Sequence, residues 1–428
     1  VLWLLNILVC VAGLRRAYRA QSVLVFFWAY GAYMSLLGLL KYSLGLIPIN
    51  LDGANPSFEH EIYFLVSNFL FLATSVFLWR NTATSSRFDS CDLVAKRQVT
   101  LFVYLALYCL GVALYFRAAL ESDYYTFVNF EGSAWAQIFF YAGSTSIAIV
   151  SARRNWLLAF ALCIPYVMLS SVLGIRSLIA LSVFPLLMVF MITQRDRINL
   201  FDRLPGRPKR TLTLRKPRPR TLLGLALACG ALAYSVIGAS LYKHDRILLP
   251  EENVLEGYFV VTNALELEPE LLGTESVERF FWGLGAPVFK QFGIRYERES
   301  DPPTIFATYI DEYANRLDQF FHYPSLWQAD TFAAFRFAGL LLAPFWAFVL
   351  ISMETLLRSN PGRWLTFLPV SCWASFMFAR GAVGNATISM SYVILILTAI
   401  SLLLMVFVRR LSRRDRLCAS FPTKKASQ

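Results

Sequence analysis

A chain of 428 residues that is 57% hydrophobic and only 16% charged is too apolar for a soluble protein of its size, because soluble domains carry about a quarter charged residues. The formal charge of +12 suggests nucleic acid at first sight, but the cations are gathered in short stretches between apolar runs. That placement belongs to a membrane protein.

The runs fall at 1–14, 21–41, 62–79, 99–116, 134–151, 156–174, 177–193, 221–242, 334–353, 364–379 and 391–408. A run of this length crosses roughly 30 Å of hydrocarbon as a helix, which satisfies its own backbone there. The predicted fold is all-α, a polytopic bundle of about eleven helices with a large, partly helical outer loop. It divides into an N-terminal bundle of about eight helices over 1–242, the loop 243–333, C-terminal helices over 334–408, and a basic cytoplasmic tail at 409–428. The first run is short. The chain opens on Val1, which points to residues missing in front of it or to a non-standard start codon read literally. A cleaved signal peptide fits poorly, because Arg15-Arg16 rather than a small-residue cleavage site follows Leu14.

Charge sets the orientation. The connections 15–20, 80–98, 152–155, 194–220, 354–363 and the tail hold 28 of the 40 Lys and Arg, whereas 22 of the 28 acids lie on the other side. Lys and Arg are enriched in cytoplasmic loops, so the first set is placed inside. The stretch Arg203 to Arg220 then reads as a segment lying on anionic lipid headgroups rather than a nucleic-acid arm. Lys41 and Arg336 stand near run ends and are expected to snorkel to the interface. Of the cysteines, Cys10, Cys109, Cys163, Cys229 and Cys372 fall in runs, and Cys91 and Cys418 fall inside, so no external disulfide framework is expected. His60, His244 and His322 all lie outside, without metal-ligand spacing.

The loop 243–333 is the one long soluble-looking stretch. It begins with acidic, leucine-bearing sequence around Glu251, Glu252, Glu256, Glu266, Glu268 and Glu270, expected to form one or two amphipathic helices. Pro302-Pro303 breaks any helix there, and 304–321 reads as another helix. An ordered loop of this length over a bundle is usually functional. Arg176, in the turn Gly174-Ile175-Arg176-Ser177, and Arg380, in Ala379-Arg380-Gly381, stand at the outer boundary, where snorkelling competes with a role in a site. Lys243, Arg246, Arg295, Arg298 and Arg316 add cations to an outer side that is otherwise net negative, which suggests an anionic ligand. Guanidinium groups suit phosphate oxygens because their planar donors bind in pairs and stay charged. The titratable groups near them are Glu297, Asp301, Asp311, Asp318, Asp330 and His322, each of which also suits a salt bridge or a solvated surface.

No phosphate-binding loop, dinucleotide fingerprint, HExxH or GxSxG motif is present. The runs carry few charges and no paired broken helices, so an enzyme at the outer face is favoured over an ion-coupled transporter.

Several features resemble the Wzy-type O-antigen and polysaccharide repeat-unit polymerases. They are the turn Gly174, Arg176, Ser177 before an apolar helix; Lys243 and Arg246 closing the helix before the loop; the segment Arg295 to Pro303; Tyr323-Pro324-Ser325 leading into Arg336 to Gly339; and Ala379-Arg380-Gly381. The resemblance spans about 170 to 400. It implies a bacterial inner-membrane enzyme that moves a growing glycan from undecaprenyl diphosphate to the non-reducing end of another lipid-linked repeat unit. Its expected partners are that lipid-linked oligosaccharide, membrane lipids, a chain-length regulator and a flippase, with no nucleic acid, cofactor or metal. Under this reading Arg176, Arg380, Lys243, Arg246, Arg295 and Arg298 hold the diphosphate, and Glu297, Asp311, Asp330 or His322 takes the attacking hydroxyl's proton. Tyr296, Tyr309, Tyr313 and Trp327 either stack on sugars or pack the loop. The rivals are an O-antigen ligase, for which His322 stands as the outer-loop histidine; a transferase using prenyl-monophosphate sugars, for which Asp52 and Glu59 are poorly spaced; and a non-enzymatic flippase or export component.

Overall fold

The computed structural model describes residues 1–49, 54–82, 98–121, 134–173, 177–194, 252–267, 326–358 and 361–380, together with positions 230, 277, 280 and 281. Among the described residues the chain is helical and contains no strand. The predicted runs 221–242 (Gly230 apart) and 391–408, and the loop helix expected at 304–321, lie outside them.

In chain order the helices are α1 (Leu2–Ala20), α2 (Leu24–Gly38) with a π-turn at Leu39–Ser43, α3 (Phe58–Thr82), α4 (Gln98–Glu121), α5 (Ala134–Ala152), α6 (Trp156–Leu173) and α7 (Ser177–Gln194). They continue with α8 (Glu252–Leu267), α9 (Trp327–Phe335), a 3-10 turn (Arg336–Leu341), α10 (Leu342–Arg358) and α11 (Pro361–Arg380). Among the described residues, three stretches are long and apolar enough to cross a membrane by length and composition, Leu24–Ser43, Phe58–Trp79 and Trp327–Arg358. Shorter apolar helices occupy Leu101–Leu114, Phe139–Ala152, Trp156–Ser170 and Leu178–Thr193. The amphipathic helix expected at the start of the long loop is present as α8.

Two cores form. One gathers α1, α2, α3, α8, α9 and α10 around Trp3, Trp28, Phe71, Tyr258 and Trp327. The other gathers α4, α5, α6 and α7 around Tyr104, Tyr108, Tyr166 and Met188. Helix α11 joins them, with Phe378 in the first core and Trp364, Leu368 and Cys372 in the second. Close approach depends on small residues, as expected where helices meet without an aqueous driving force. A methyl at Gly143 would sit 2.3 Å from the Tyr108 ring, and one at Gly13 the same distance from the Trp28 ring.

The turn between α1 and α2 is clasped by α10. Gln21 adopts the left-handed conformation (φ 53°), and the Ser22 N–H returns to Ala17 O at 2.9 Å. The Glu354 carboxylate accepts from the Ser22 hydroxyl and from the Val23 N–H (2.9 Å), filling a donor at the N-terminus of α2 that has no helical partner. Arg358 donates to Glu354 (2.7 Å), to Ala20 O (2.8 Å) and to Gln21 O, and stacks over Trp364. One carboxylate and one guanidinium thus close two helix ends.

The run predicted at 334–353 is not a single helix. Along α3 the partners of α9 fall in reverse order: Trp327 meets Phe71, Gln328 meets Asn68, Thr331 meets Tyr63, and Phe332 meets His60. Helix α9 therefore runs antiparallel to α3 and begins part-way down the bundle. The chain reverses at Arg336 (φ 53°) and descends as α10, whose last turn reaches Ala20. Hydropathy could not show this, because α9 carries Gln328, Asp330 and Thr331 and does not stand out as an apolar run. Arg336 marks the reversal, with its guanidinium 5.7 Å from the Phe332 ring centre.

Gly339 allows the reversal to pack. A methyl there would lie 2.6 Å from Thr331 O and 2.6 Å from the Tyr63 hydroxyl, and the first of these is backbone. Gly339→Ala is expected to lower stability by about 2 kcal/mol through overpacking, seen as a depressed thermal midpoint of the detergent-purified protein.

Candidate functional site

At the end of the bundle where α2 finishes, the π-turn Leu39–Ser43 widens the last turn of the helix. Such turns recur at functional sites. The Lys41 ammonium donates to the Glu256 carboxylate of α8 and to Pro48 O at 3.0 Å, and both paired side chains are fully buried. The snorkelling expected of Lys41 does not occur. Segment 44–49 and helix α8 close over the end of α2, and Glu256 supplies there the counter-charge that solvent would otherwise provide. A buried pair gains little net stability, because desolvating two charges offsets their attraction. Its effect is to set the register of α8 against α2.

Beside this pair, Tyr42 stacks on Trp3 (centroids 6.1 Å apart), and Phe259 of α8 meets Tyr42 edge-on at 5.0 Å. The Trp3 indole N–H donates to Glu61 Oε1 at 2.8 Å. Four elements meet here: α1, the π-turn, α3 and α8.

One turn further along, His60 is fully buried. Its Nδ1 lies 2.7 Å from Ser57 Oγ and 3.1 Å from Asn263 Oδ1. Asn263 Nδ2 donates to Asn55 O at 2.6 Å, so its oxygen is the atom facing His60. An amide oxygen only accepts, and Nδ1 therefore carries a proton. The Tyr258 hydroxyl donates to His60 O at 2.7 Å, and burial pushes that phenol well above its ordinary pKa, so it remains a donor.

Deeper in the bundle a polar thread crosses four helices. Gln328 Nε2 donates to Asn68 Oδ1 (3.1 Å), Asn68 Nδ2 to Asn6 Oδ1 (3.0 Å), Asn6 Nδ2 to Ser35 Oγ (2.7 Å), and Ser35 Oγ to Gly31 O (2.6 Å). All the dipoles point the same way, so each bond polarises the next.

Two of the ten residues selected from sequence are described. Asp330 sits in α9 and is 6% exposed. Arg380 is the last residue of α11 and is half-buried. Their helices touch where Trp327 stacks on Phe378, with centroids 5.7 Å apart and planes at 26°. The first turn of α9 and the last turn of α11 therefore adjoin. Glu297, His322, Asp311, Arg176, Lys243, Arg246, Arg295 and Arg298 lie outside the described residues, as do Tyr296, Tyr309 and Tyr313. Trp327, considered for sugar stacking, is 1% exposed and wedged between Phe71 and Phe378, so it packs the bundle.

Sequence reasoning missed Lys41, His60, Glu61, Glu256 and the Asn6–Asn68–Gln328 thread as a set. The available signal was polarity inside or at the rim of apolar runs, which is expensive in hydrocarbon and tends to mark function. Comparison with protein-family models, with curated proteins and with solved structures finds no match.

Replacing Lys41 alone leaves the Glu256 carboxylate buried without a counter-charge. Lys41→Met is expected to destabilise by about 3 kcal/mol, and Lys41→Met with Glu256→Leu to recover most of that loss. Thermal unfolding of both variants in one detergent checks the pair.

Proposed function

We propose that this chain is a bacterial inner-membrane glycan polymerase. It transfers an oligosaccharide from undecaprenyl diphosphate to the non-reducing end of another lipid-linked repeat unit, with the Lys41 end of the bundle facing away from the cytoplasm. The observation that carries the reading is the Trp327–Phe378 stack, which sets the turn bearing Asp330 against the turn ending in Arg380. An acid and a guanidinium on adjoining turns of an apolar bundle suit a reaction that moves a proton and releases a diphosphate.

In this reading Arg380 neutralises charge gathering on the diphosphate as the glycosidic bond breaks. Arg176, Lys243, Arg246, Arg295 and Arg298 complete the cationic clamp, and Asp330 joins Glu297, Asp311 and His322 as a candidate proton acceptor. A low-dielectric setting strengthens each of these interactions. The protein would work beside a flippase that delivers repeat units and a regulator that sets chain length.

A second reading draws on α9. A half-length helix inside a bundle, reversing at Arg336, is a device that transporters use to hold substrates within the membrane. It favours a flippase or export component. The two readings part in a deletion strain: loss of a polymerase leaves single repeat units at the cell surface, whereas loss of a flippase leaves them on the cytoplasmic face.

Arg380→Ala and Arg176→Ala are each expected to abolish polymer while the protein still inserts and accumulates. Gel analysis of surface glycan beside an immunoblot of the membrane fraction checks this, and full-length polymer from either variant removes that arginine from the site.

A further inference from the structure

We infer that the buried start of α9 holds a phosphoryl group of the lipid-linked substrate, an assignment that deepens the proposed function and rests on it. Helix α9 has nine residues and begins level with the middle of α3, where Trp327 meets Phe71 and Gln328 meets Asn68. Leu326 is its N-cap, and no side chain caps the helix there. Leu326, Trp327 and Gln328 are 2%, 1% and 3% exposed. The first N–H groups of α9 to find an acceptor are those of Ala329 (2.8 Å) and Asp330 (3.4 Å), both on Leu326 O. Those of Trp327 and Gln328 come before them and have no acceptor inside the helix. At a solvated helix start water takes such donors, whereas a buried start needs another partner.

The Gln328 side chain marks the same place independently. Its Nε2 is bound to Asn68 at 3.1 Å, which leaves Oε1 buried and without a hydrogen-bond partner. Helical side chains lean toward the N-terminus of their own helix, so this amide is carried back over the first turn of α9. Donation along the thread from Gln328 to Gly31 O polarises the amide and makes Oε1 a stronger acceptor.

The aromatic cluster around this turn adds donors. Trp346 lies 5.4 Å from Phe378, the ring on which Trp327 stacks, and Trp28 lies 5.6 Å from Phe71, which Trp327 also meets. Both indole N–H groups are buried and unpartnered. Four N–H donors thus stand against one acceptor, Gln328 Oε1. Water offers donors and acceptors in equal number. A phosphoryl group offers acceptors, and a sugar hydroxyl beside it supplies the single donor. The positive end of the helix dipole favours the same charge. Arg380, which ends α11 on the adjoining turn, sets a cation against the ligand and the Asp330 carboxylate together.

The test uses the full-length protein in phosphatidylcholine nanodiscs, with farnesyl diphosphate as the probe and farnesol as its uncharged counterpart. The wild type is expected to bind the diphosphate saturably and farnesol roughly 10-fold or more weakly. Leu326→Asn brings a side-chain oxygen to the two backbone N–H groups, whereas Leu326→Ala loses the same packing without that oxygen. Leu326→Asn is expected to bind the probe roughly 10-fold or more weakly than Leu326→Ala, because its own oxygen occupies the donors. Gln328→Glu keeps the side chain's length, brings an anion of its own to that turn and is expected to weaken binding to a similar degree; it carries the test if neither variant at 326 accumulates. Leu326→Asn binding within roughly threefold of Leu326→Ala, or Gln328→Glu within roughly threefold of wild type, overturns the assignment. Equal binding of farnesol overturns it as well. Loss of probe binding when phosphatidylglycerol replaces phosphatidylcholine gives the helix start to a bulk lipid headgroup and overturns the substrate assignment. A wild type that binds no probe removes this inference alone if deleting the gene still abolishes polymer, and removes the polymerase reading with it if polymer is unchanged.

Discussion

Hydrocarbon offers a buried charge or amide neither water nor counter-ion, so every such group in an apolar bundle must be met by another part of the chain. That requirement decides how these helices lie. Lys41 brings α8 onto the π-turn through Glu256. Glu354 and Arg358 bind α10 to the turn between α1 and α2. The thread from Gln328 to Gly31 O ties α9, α3, α1 and α2 at mid-depth. Apolar contacts fill the space between these points, with glycines where helices approach most closely.

The two ends of the bundle are built for different ends. At the Arg358 end the clasp closes two helix termini, and the carboxylate of Glu354 accepts from Ser22, Val23 and Arg358. At the Lys41 end the groups come from α1, the π-turn, α3 and α8. Glu61 engages one indole, and the Tyr42 hydroxyl engages nothing among the described residues. Helix α9 links this end to the interior of the bundle, running from the His60 and Tyr63 level down to the Trp327–Phe378 stack.

Much of this was legible as composition and little of it as geometry. The apolar runs locate α2, α3, α4, α5, α6 and α7 to within a few residues, because twenty apolar side chains in series have few alternatives in water or lipid. The run predicted at 334–353 corresponds to the 3-10 turn and α10, whereas α9 before it was not foreseen. The reversal at Arg336 leaves no mark in hydropathy, and its Gly339 resembles any glycine of a membrane helix until Thr331 O is seen 2.6 Å from its missing methyl. Lys41 was read as a surface charge for a similar reason. Its partner is 215 residues away, and nothing near Lys41 in the chain announces it.

The amino-acid sequence by itself determined that this protein is an all-helical, membrane-type chain whose charge gathers between apolar runs. Those properties follow from local composition and the energy of placing backbone in hydrocarbon, and they need no knowledge of neighbours. Only the tertiary structure decided which polar residues are partners, that α9 turns back into the bundle, and that Glu256 neutralises Lys41. These are facts of pairing between distant segments. Pair energies depend on separations of a few ångströms, which linear order does not contain.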